Sequence, residues 1–267
     1  MAPGPGEQEF RELIQKFEDA LRKVHEKANE IVNNVNRILS KVPGFVGDGI
    51  RKGTERFIAL LNKIYEELDK YIGKPGWPPT LLSTGNAWAD DVGTPVSSLA
   101  GAADPDKSAI LDEWKGAAAD AYKRILGPQY KAITAIKKDF TDAIHSALTA
   151  TAAGIVVWWG SIVVAIAALV GGLIGAAAST ASVFGAPAGP FIAVAACLAF
   201  LAALTAGSGA LLGITAVQNG NLQDKLADWL AFEGRQWPVS AASKLEDGTL
   251  RDKAPATVDG TDWRLEP

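Results

Sequence analysis

The sequence is poor in the side chains that build disulfide frameworks and metal centres. It has one cysteine and two histidines in 267 residues. A single thiol cannot close an intrachain disulfide, and three such side chains cannot supply the usual zinc ligand sets. No nucleophile, base and metal ligand form a recognisable catalytic arrangement, and no glycine pattern matches a phosphate-binding loop. We therefore predict a protein that is not an enzyme and binds no metal or cofactor.

Basic residues show no excess either, since 26 Lys and Arg stand against 30 Asp and Glu, for a formal charge of -4. Nucleic-acid binding needs clustered positive charge to neutralise phosphates, so nucleic acid is not an expected partner. The first residues also lack the basic segment and apolar run of a cleaved secretory signal peptide. We expect a secreted or membrane-associated protein without such a signal.

Charge is missing altogether from residues 143–223, which form an uncharged stretch of 81 residues. Residues 1–142 carry 20 basic and 21 acidic side chains, and residues 224–267 carry 6 and 9. A surface bathed in water does not have such a composition. The stretch is therefore predicted to be buried in a helical core or in a membrane.

Apolar residues recur every three or four positions from Phe10 to Val42, and again from Ile50 to Tyr71. This spacing is typical of a coiled-coil seam. Pro43 and the glycines that follow it separate the two seams. The pattern predicts two long helices joined by a short turn, as an antiparallel hairpin.

The uncharged stretch contains two apolar segments, 152–178 and 191–217. A helix of that length is about 40 Å long, which exceeds the ~30 Å hydrocarbon core of a bilayer. The connection between them is rich in glycine and proline, which predicts a hairpin turn at Gly185, Pro187, Gly189 and Pro190.

Each apolar segment contains a pair of glycines four residues apart, Gly171 with Gly175 and Gly209 with Gly213. Small residues at this spacing let two membrane helices approach closely, so these four are candidate helix-packing positions in a membrane. The alternative is that glycine and alanine are simply common in this part of the chain.

These patterns predict an all-α protein: an elongated helical bundle with an antiparallel coiled-coil hairpin and a hydrophobic helical hairpin. We divide the chain into four segments. They are a coiled-coil hairpin at 1–73, a linker and helix at 74–150, an apolar hairpin at 151–217, and a short amphipathic helix with an irregular tail at 218–267.

A motif in the second segment resembles that of a known family. The run from Trp114 through Gly116 to Tyr122 fits W-x-G-x-A-A-x-A-[F/Y]. It resembles the Trp-x-Gly turn of the WXG100 proteins, which are substrates of type VII (ESX) secretion. Substrates of this system also carry Tyr-x-x-x-Asp/Glu, and Tyr65 with Asp69 matches that motif, placed before the tryptophan motif as in the EspB-like members.

The resemblance implies that Tyr65, Asp69, Trp114 and Gly116 form one bipartite export signal. It also implies the type VII secretion machinery, or a helical partner protein, as a binding partner. The alternative is that Trp114 and Tyr65 only pack inside the bundle, with Gly116 allowing two helices to approach closely.

The architecture itself resembles the alpha-pore-forming toxins of the ClyA and haemolysin BL type. That family keeps an apolar hairpin folded against a helical bundle and releases it into a membrane. We therefore expect a type VII secreted, membrane-active protein that inserts into lipid or forms pores, with a homo-oligomer as a further expected state. The alternative is a resident membrane protein with a two-helix anchor and a cytoplasmic coiled-coil domain.

Overall fold

The computed structural model describes residues 6–73, 76–107, 115 and 117–227. This part of the chain is built of helices and short connections and contains no β-strand. The predicted all-α class is confirmed.

Seven α-helices lie in the described residues: α1 (Glu7–Leu39), α2 (Gly44–Ile72), α3 (Pro78–Ala87), α4 (Thr94–Ala102), α5 (Ala117–Ala135), α6 (Asp142–Thr180) and α7 (Gly189–Ala227). Two six-residue π-helices complete the order, π1 (Trp88–Gly93) between α3 and α4 and π2 (Ile136–Thr141) between α5 and α6.

The chain divides into two compact units. The first unit contains the residues up to Asn86 together with His145–Asn221, and the second contains Ala87–Ile144 together with the residues from Leu222 onward. The predicted segments 1–73 and 151–217 therefore contribute to the same unit. The four-segment division remains a prediction about the sequence.

Helices α1 and α2 follow the heptad spacing of their sequences. The buried apolar residues of α1 include a series spaced by seven, namely Phe10, Phe17, Val24, Ile31 and Ile38. In α2 the equivalent series is Ile50, Phe57 and Ile64. One stripe of each helix is therefore covered and the opposite face is wet, as heptads dictate.

Helices α6 and α7 pack side by side in antiparallel order. A Cβ built on Gly154 would lie 3.4 Å from Leu211, and one built on Gly172 would lie 2.6 Å from the Cβ of Ala196. Early residues of α6 thus meet late residues of α7, which is the geometry of a helical hairpin.

The amphipathic helices run parallel to the apolar helices that they cover. Phe17 of α1 stacks edge-on against Trp159 of α6, with ring centroids 5.2 Å apart. Tyr71 of α2 donates a hydrogen bond of 3.0 Å to the hydroxyl of Ser208 in α7. The first unit is therefore a bundle in which α1 and α2 cover one side of the α6–α7 hairpin.

The hairpin turns over residues 181–188. Of the four predicted turn residues, Gly185 and Pro187 lie in this connection, whereas Gly189 and Pro190 open α7. Proline suits the first turn of a helix because its missing N–H would have no intrahelical partner there. Any side chain at Gly189 would collide with Thr180, so glycine permits the tight return of the chain.

The second unit is organised around the two π-helices. Trp88 of π1 packs edge-on against Phe140 of π2, with ring centroids 5.8 Å apart. A Cβ on Gly93 would come within 2.7 Å of the hydroxyl oxygen of Thr141, so the two π-helices approach through a glycine. Sequence periodicity did not indicate either π-helix.

Candidate membrane-active hairpin

Two helical ranges, Tyr122–Thr180 and Gly189–Lys225, are long and apolar enough to cross a membrane. Their most apolar windows are 39% and 28% buried, respectively. A central helix of a soluble bundle passes the same length test but is mostly buried. Both windows here leave the larger part of their residues uncovered.

The covered side of α6 carries its largest side chains. Trp158 and Trp159 are 4% and 1% exposed, and Trp158 packs on the ring of Tyr71 at 4.8 Å between centroids. Both tryptophans are therefore core residues of the bundle in this structure. The same core contains Ile162, Ile166, Leu169 and Leu173 of α6 and Cys197, Phe200 and Leu204 of α7.

The uncovered side of the hairpin is also apolar. Val157, Val164 and Leu212 are 69%, 70% and 70% exposed. We call this side the exposed apolar face; its further large members are Val156, Ile174, Phe191, Ile192, Leu198 and Val217. Large exposed apolar faces are typical of surfaces that contact a partner or a lipid phase.

Side-chain hydrogen bonds join the amphipathic helices to the apolar helices. Asn34 donates to the carbonyl of Ala177 at 3.3 Å and to the hydroxyl of Thr180 at 3.4 Å, and Tyr71 donates to Ser208. No ion pair can reinforce the interface, because residues 143–223 carry no charge. The hairpin is held mainly by apolar packing.

Four buried side-chain polar atoms of the first unit have no hydrogen-bond partner among the described protein atoms. They are the phenol oxygen of Tyr65, Nδ1 of His145, the hydroxyl of Thr149 and the indole nitrogen of Trp158. A buried donor without an acceptor costs about 1–3 kcal/mol. Enclosing these groups therefore lowers the stability of the bundle.

The four predicted packing glycines do not form the α6–α7 contact in this bundle. A Cβ built on Gly171, Gly175, Gly209 or Gly213 would meet nothing within 4 Å. All four lie on the exposed side of their helices. Their predicted contact inside a membrane stays a prediction.

The close approach of α6 and α7 is made by other glycines. Gly172 faces Ala196, Gly154 faces Ile214 and Leu211, and Gly207 faces Trp158. Sequence reasoning missed them. The available signal was their phase, since Gly154 lies four residues before the buried Trp158, and Gly172 lies three residues after the buried Leu169.

The tyrosine half of the proposed export signal lies in α2. Tyr65 is half-buried at the side of an open groove of about 610 Å³ between α1 and α2, whose floor is Trp159. Burial raises the pKa of Tyr65 above its usual 10.0. Asp69, one turn later, is exposed. Trp114 and Gly116 lie outside the described residues.

Among the described residues, no three His, Cys, Asp or Glu side chains come together as metal ligands could. No protein-family model, no curated protein and no solved structure matches the chain. The α6–α7 hairpin and its two unlike faces are therefore the basis for inferring function.

Proposed function

We propose that this chain is a non-enzymatic, membrane-active helical protein whose α6–α7 hairpin inserts into a lipid bilayer. The observation that carries the proposal is the exposed apolar face of α6 and α7, which lies within the uncharged stretch 143–223. In water an exposed apolar face of this kind favours aggregation. In hydrocarbon it needs no further partner, because a helix satisfies its own backbone hydrogen bonds.

The magnitudes favour insertion of α6. Residues 155–174 contain eleven large aliphatic side chains. Four of them, Ile162, Ile166, Leu169 and Leu173, are already buried in the bundle. At about -0.3 to -0.6 kcal/mol apiece the other seven supply roughly -2 to -4 kcal/mol of insertion free energy. The hydrogen bonds from Asn34 and Tyr71 oppose release by about 1 kcal/mol each. The covered side of the hairpin stays away from water in lipid, so its transfer loses little hydrophobic free energy.

Release leaves the apolar stripes of α1 and α2 without their partner. The heptad series of the two helices can then pack on each other, as in an antiparallel coiled coil. The proposal thus assigns the N-terminal helices a covering role in water and a separate folded state once the hairpin has left.

We further propose that the protein reaches its target membrane by type VII export, with Tyr65, Asp69, Trp114 and Gly116 as the signal. The exposure of Asp69 supports this, because a receptor can reach its carboxylate without unfolding α2. Asp69→Ala and Trp114→Ala should each stop secretion with helicity and cellular abundance unchanged. Glu66→Ala, an exposed neighbour on α2, is the matched control. Normal export of both variants would contradict the assignment.

A permanently inserted anchor is the second candidate function. The large uncovered share of both apolar windows favours it. The two candidates differ in water: a releasable hairpin gives a monodisperse chain by detergent-free chromatography, whereas a resident anchor requires detergent.

Charge substitution on the exposed apolar face tests insertion. Val164→Asp should scarcely affect the water-soluble bundle, because Val164 is 70% exposed there. In a bilayer the same aspartate costs about 2.5–3.5 kcal/mol. We expect a sharp fall in flotation with phosphatidylcholine liposomes and in dye release. Leu201→Asp should lower both as well, but Leu201 packs partly against the core, so thermal unfolding of this variant is measured alongside.

The matched control is Ile58→Asp, which places the same charge at a 40% exposed position of α2, away from the hairpin. Its liposome association should equal that of the wild type. Undiminished association of Val164→Asp and Leu201→Asp, or a wild-type chain that never leaves water for liposomes, would overturn the membrane proposal.

A further inference from the structure

The second unit contains a polar cavity of about 360 Å³ that has no part in the hairpin. Three ammonium groups line it, those of Lys107, Lys137 and Lys138. The rest of the lining consists of the hydroxyl-bearing side chains of Ser97, Tyr130 and Thr134, the carboxylates of Asp104 and Asp142, and the small residues Ala100 and Gly101. Cations combined with neutral hydroxyl donors are the groups that hold phosphate oxygens in proteins.

Lys137 and Lys138 of the cavity belong to the π-helix π2. Its i→i+5 hydrogen bonds widen the turn, so residues five apart become neighbours along the helix. Accordingly the ammonium of Lys137 lies 3.2 and 3.1 Å from the two carboxylate oxygens of Asp142, five residues on. Such π-turns recur at functional sites.

Of the three lysines that line the cavity, two form ion pairs within the described residues. Lys137 is paired with Asp142, and Lys107 with Asp104 at 3.2 Å. Lys138 lines the same cavity and makes no ion pair within the described residues. Asp104 is itself held by the backbone N–H of Asp106 at 3.1 Å, so its lysine is kept beside the cavity.

We propose that this cavity binds a phosphate ester group, with Lys138 as the primary contact and the hydroxyl of Tyr130 as a donor. The volume suits a small phosphate-bearing headgroup rather than a nucleic acid or a peptide. The same chemistry is offered by a soluble ester such as glycerol 3-phosphate and by the headgroup of an anionic phospholipid. The experiment has one arm for each source.

The soluble arm titrates glycerol 3-phosphate into the full chain by calorimetry. Lys138→Gln should weaken binding about tenfold, as expected for loss of a charge-assisted hydrogen bond. Tyr130→Phe should weaken it less. Lys123→Gln is the matched control, because Lys123 is an exposed lysine of α5 outside the cavity and its loss changes the net charge equally.

The lipid arm compares flotation on phosphatidylcholine vesicles with and without phosphatidic acid. Phosphatidic acid should increase the vesicle binding of the wild type. If the ligand is a lipid headgroup, Lys138→Gln should reduce this increase more than Lys123→Gln does, and added glycerol 3-phosphate should displace the protein from the vesicles. If the ligand is a soluble ester, Lys138→Gln should weaken glycerol 3-phosphate binding in the calorimetric titration. The two variants should then show the same reduction in the binding that phosphatidic acid adds.

No binding of glycerol 3-phosphate by the wild type, together with equal vesicle binding of the two variants, would overturn the proposal. Membrane insertion is judged separately, on pure phosphatidylcholine vesicles. Failure of the phosphate site and failure of the hairpin proposal are therefore distinguishable.

Discussion

Asn34 is a polar side chain buried in an otherwise apolar interface. It is 7% exposed, and its amide reaches the last turn of α6 through Ala177 and Thr180. A single buried amide beside a heptad seam fixes the register of the packed helices at some cost in stability. We assign Asn34 this role at the end of the hairpin nearest the turn.

Replacing Asn34 by Asp tests the assignment. The new carboxylate would face a carbonyl and a hydroxyl oxygen without the amide donor, which should cost on the order of 3 kcal/mol at pH 7. Protonation below pH 4 restores a donor and should recover part of the loss. The neighbouring Asn33 is exposed, so Asn33→Asp should stay within about 0.5 kcal/mol of the wild type. Urea unfolding followed by circular dichroism measures both, and equal effects would refute the role.

Tyr65 gives a pH-dependent prediction. Burial holds its pKa above 10.0 in the folded chain, so the unfolded chain loses this proton first. Stability is then fully present below pH 10 and falls as pH rises through the folded pKa. Tyr65→Phe should flatten this alkaline loss and should not destabilise the bundle at pH 7, since the hydroxyl has no partner among the described protein atoms. A steeper alkaline loss in the variant would contradict it.

At the scale of elements, periodicity predicted what depends on local sequence. The all-α class is confirmed, whereas the details of the two hairpins stay predictions from sequence. In the structure α1 ends and α2 begins on either side of Pro43, and Gly185 lies in the connection between α6 and α7. The π-helices were missed because they arise where Gly93 and Thr141 press two segments together, which no single-segment pattern records. The packing glycines were missed because a four-residue spacing says nothing of which side faces the partner.

Substitutions at two adjacent glycines of α6 can distinguish the helix packing of the water-soluble bundle from the predicted helix contact in a membrane. Gly172→Ala places a methyl group 2.6 Å from the Cβ of Ala196, whereas Gly171→Ala meets nothing within 4 Å. Overpacking should cost the soluble bundle about 1–3 kcal/mol at position 172. At position 171 the helix propensity of alanine should give a gain of up to about 1 kcal/mol.

Thermal unfolding in detergent-free buffer compares the two alanine variants, and equal melting temperatures would refute the α6–α7 register. The bulkier Gly171→Ile should spare the soluble bundle too. If it lowers assembly in liposomes, Gly171 packs helices in the membrane as its spacing predicts.

At the scale of the whole molecule, the segregation of charge along the sequence determines which helix faces contact water. Charged side chains keep α1 and α2 wet on one face, and the uncharged hairpin rests on their other face. Composition predicted the apolar hairpin but not its covering, because a helix free of charge suits a bilayer and a bundle core equally. The structure adds the one-sided burial. The tryptophan half of the export signal lies outside the described residues, so that motif stays a prediction from sequence.

A reversible cross-link can decide whether the hairpin leaves the bundle. A Cβ on Gly53 of α2 would lie 3.0 Å from the Cβ of Pro190 in α7. This is closer than the roughly 3.5–4.5 Å of disulfides, so the two helices must move slightly apart for a bond to form. In a Cys197→Ser background, Gly53→Cys with Pro190→Cys should form a bond that ties the tip of the hairpin to α2. The oxidised chain should remain soluble and release no dye from liposomes, because the tip must leave α2 to enter the bilayer. Reduction should restore release, and the Gly53→Cys single variant should respond to neither treatment. Equal dye release before and after reduction would show that the hairpin acts without leaving α2, and the releasable-hairpin mechanism would be wrong.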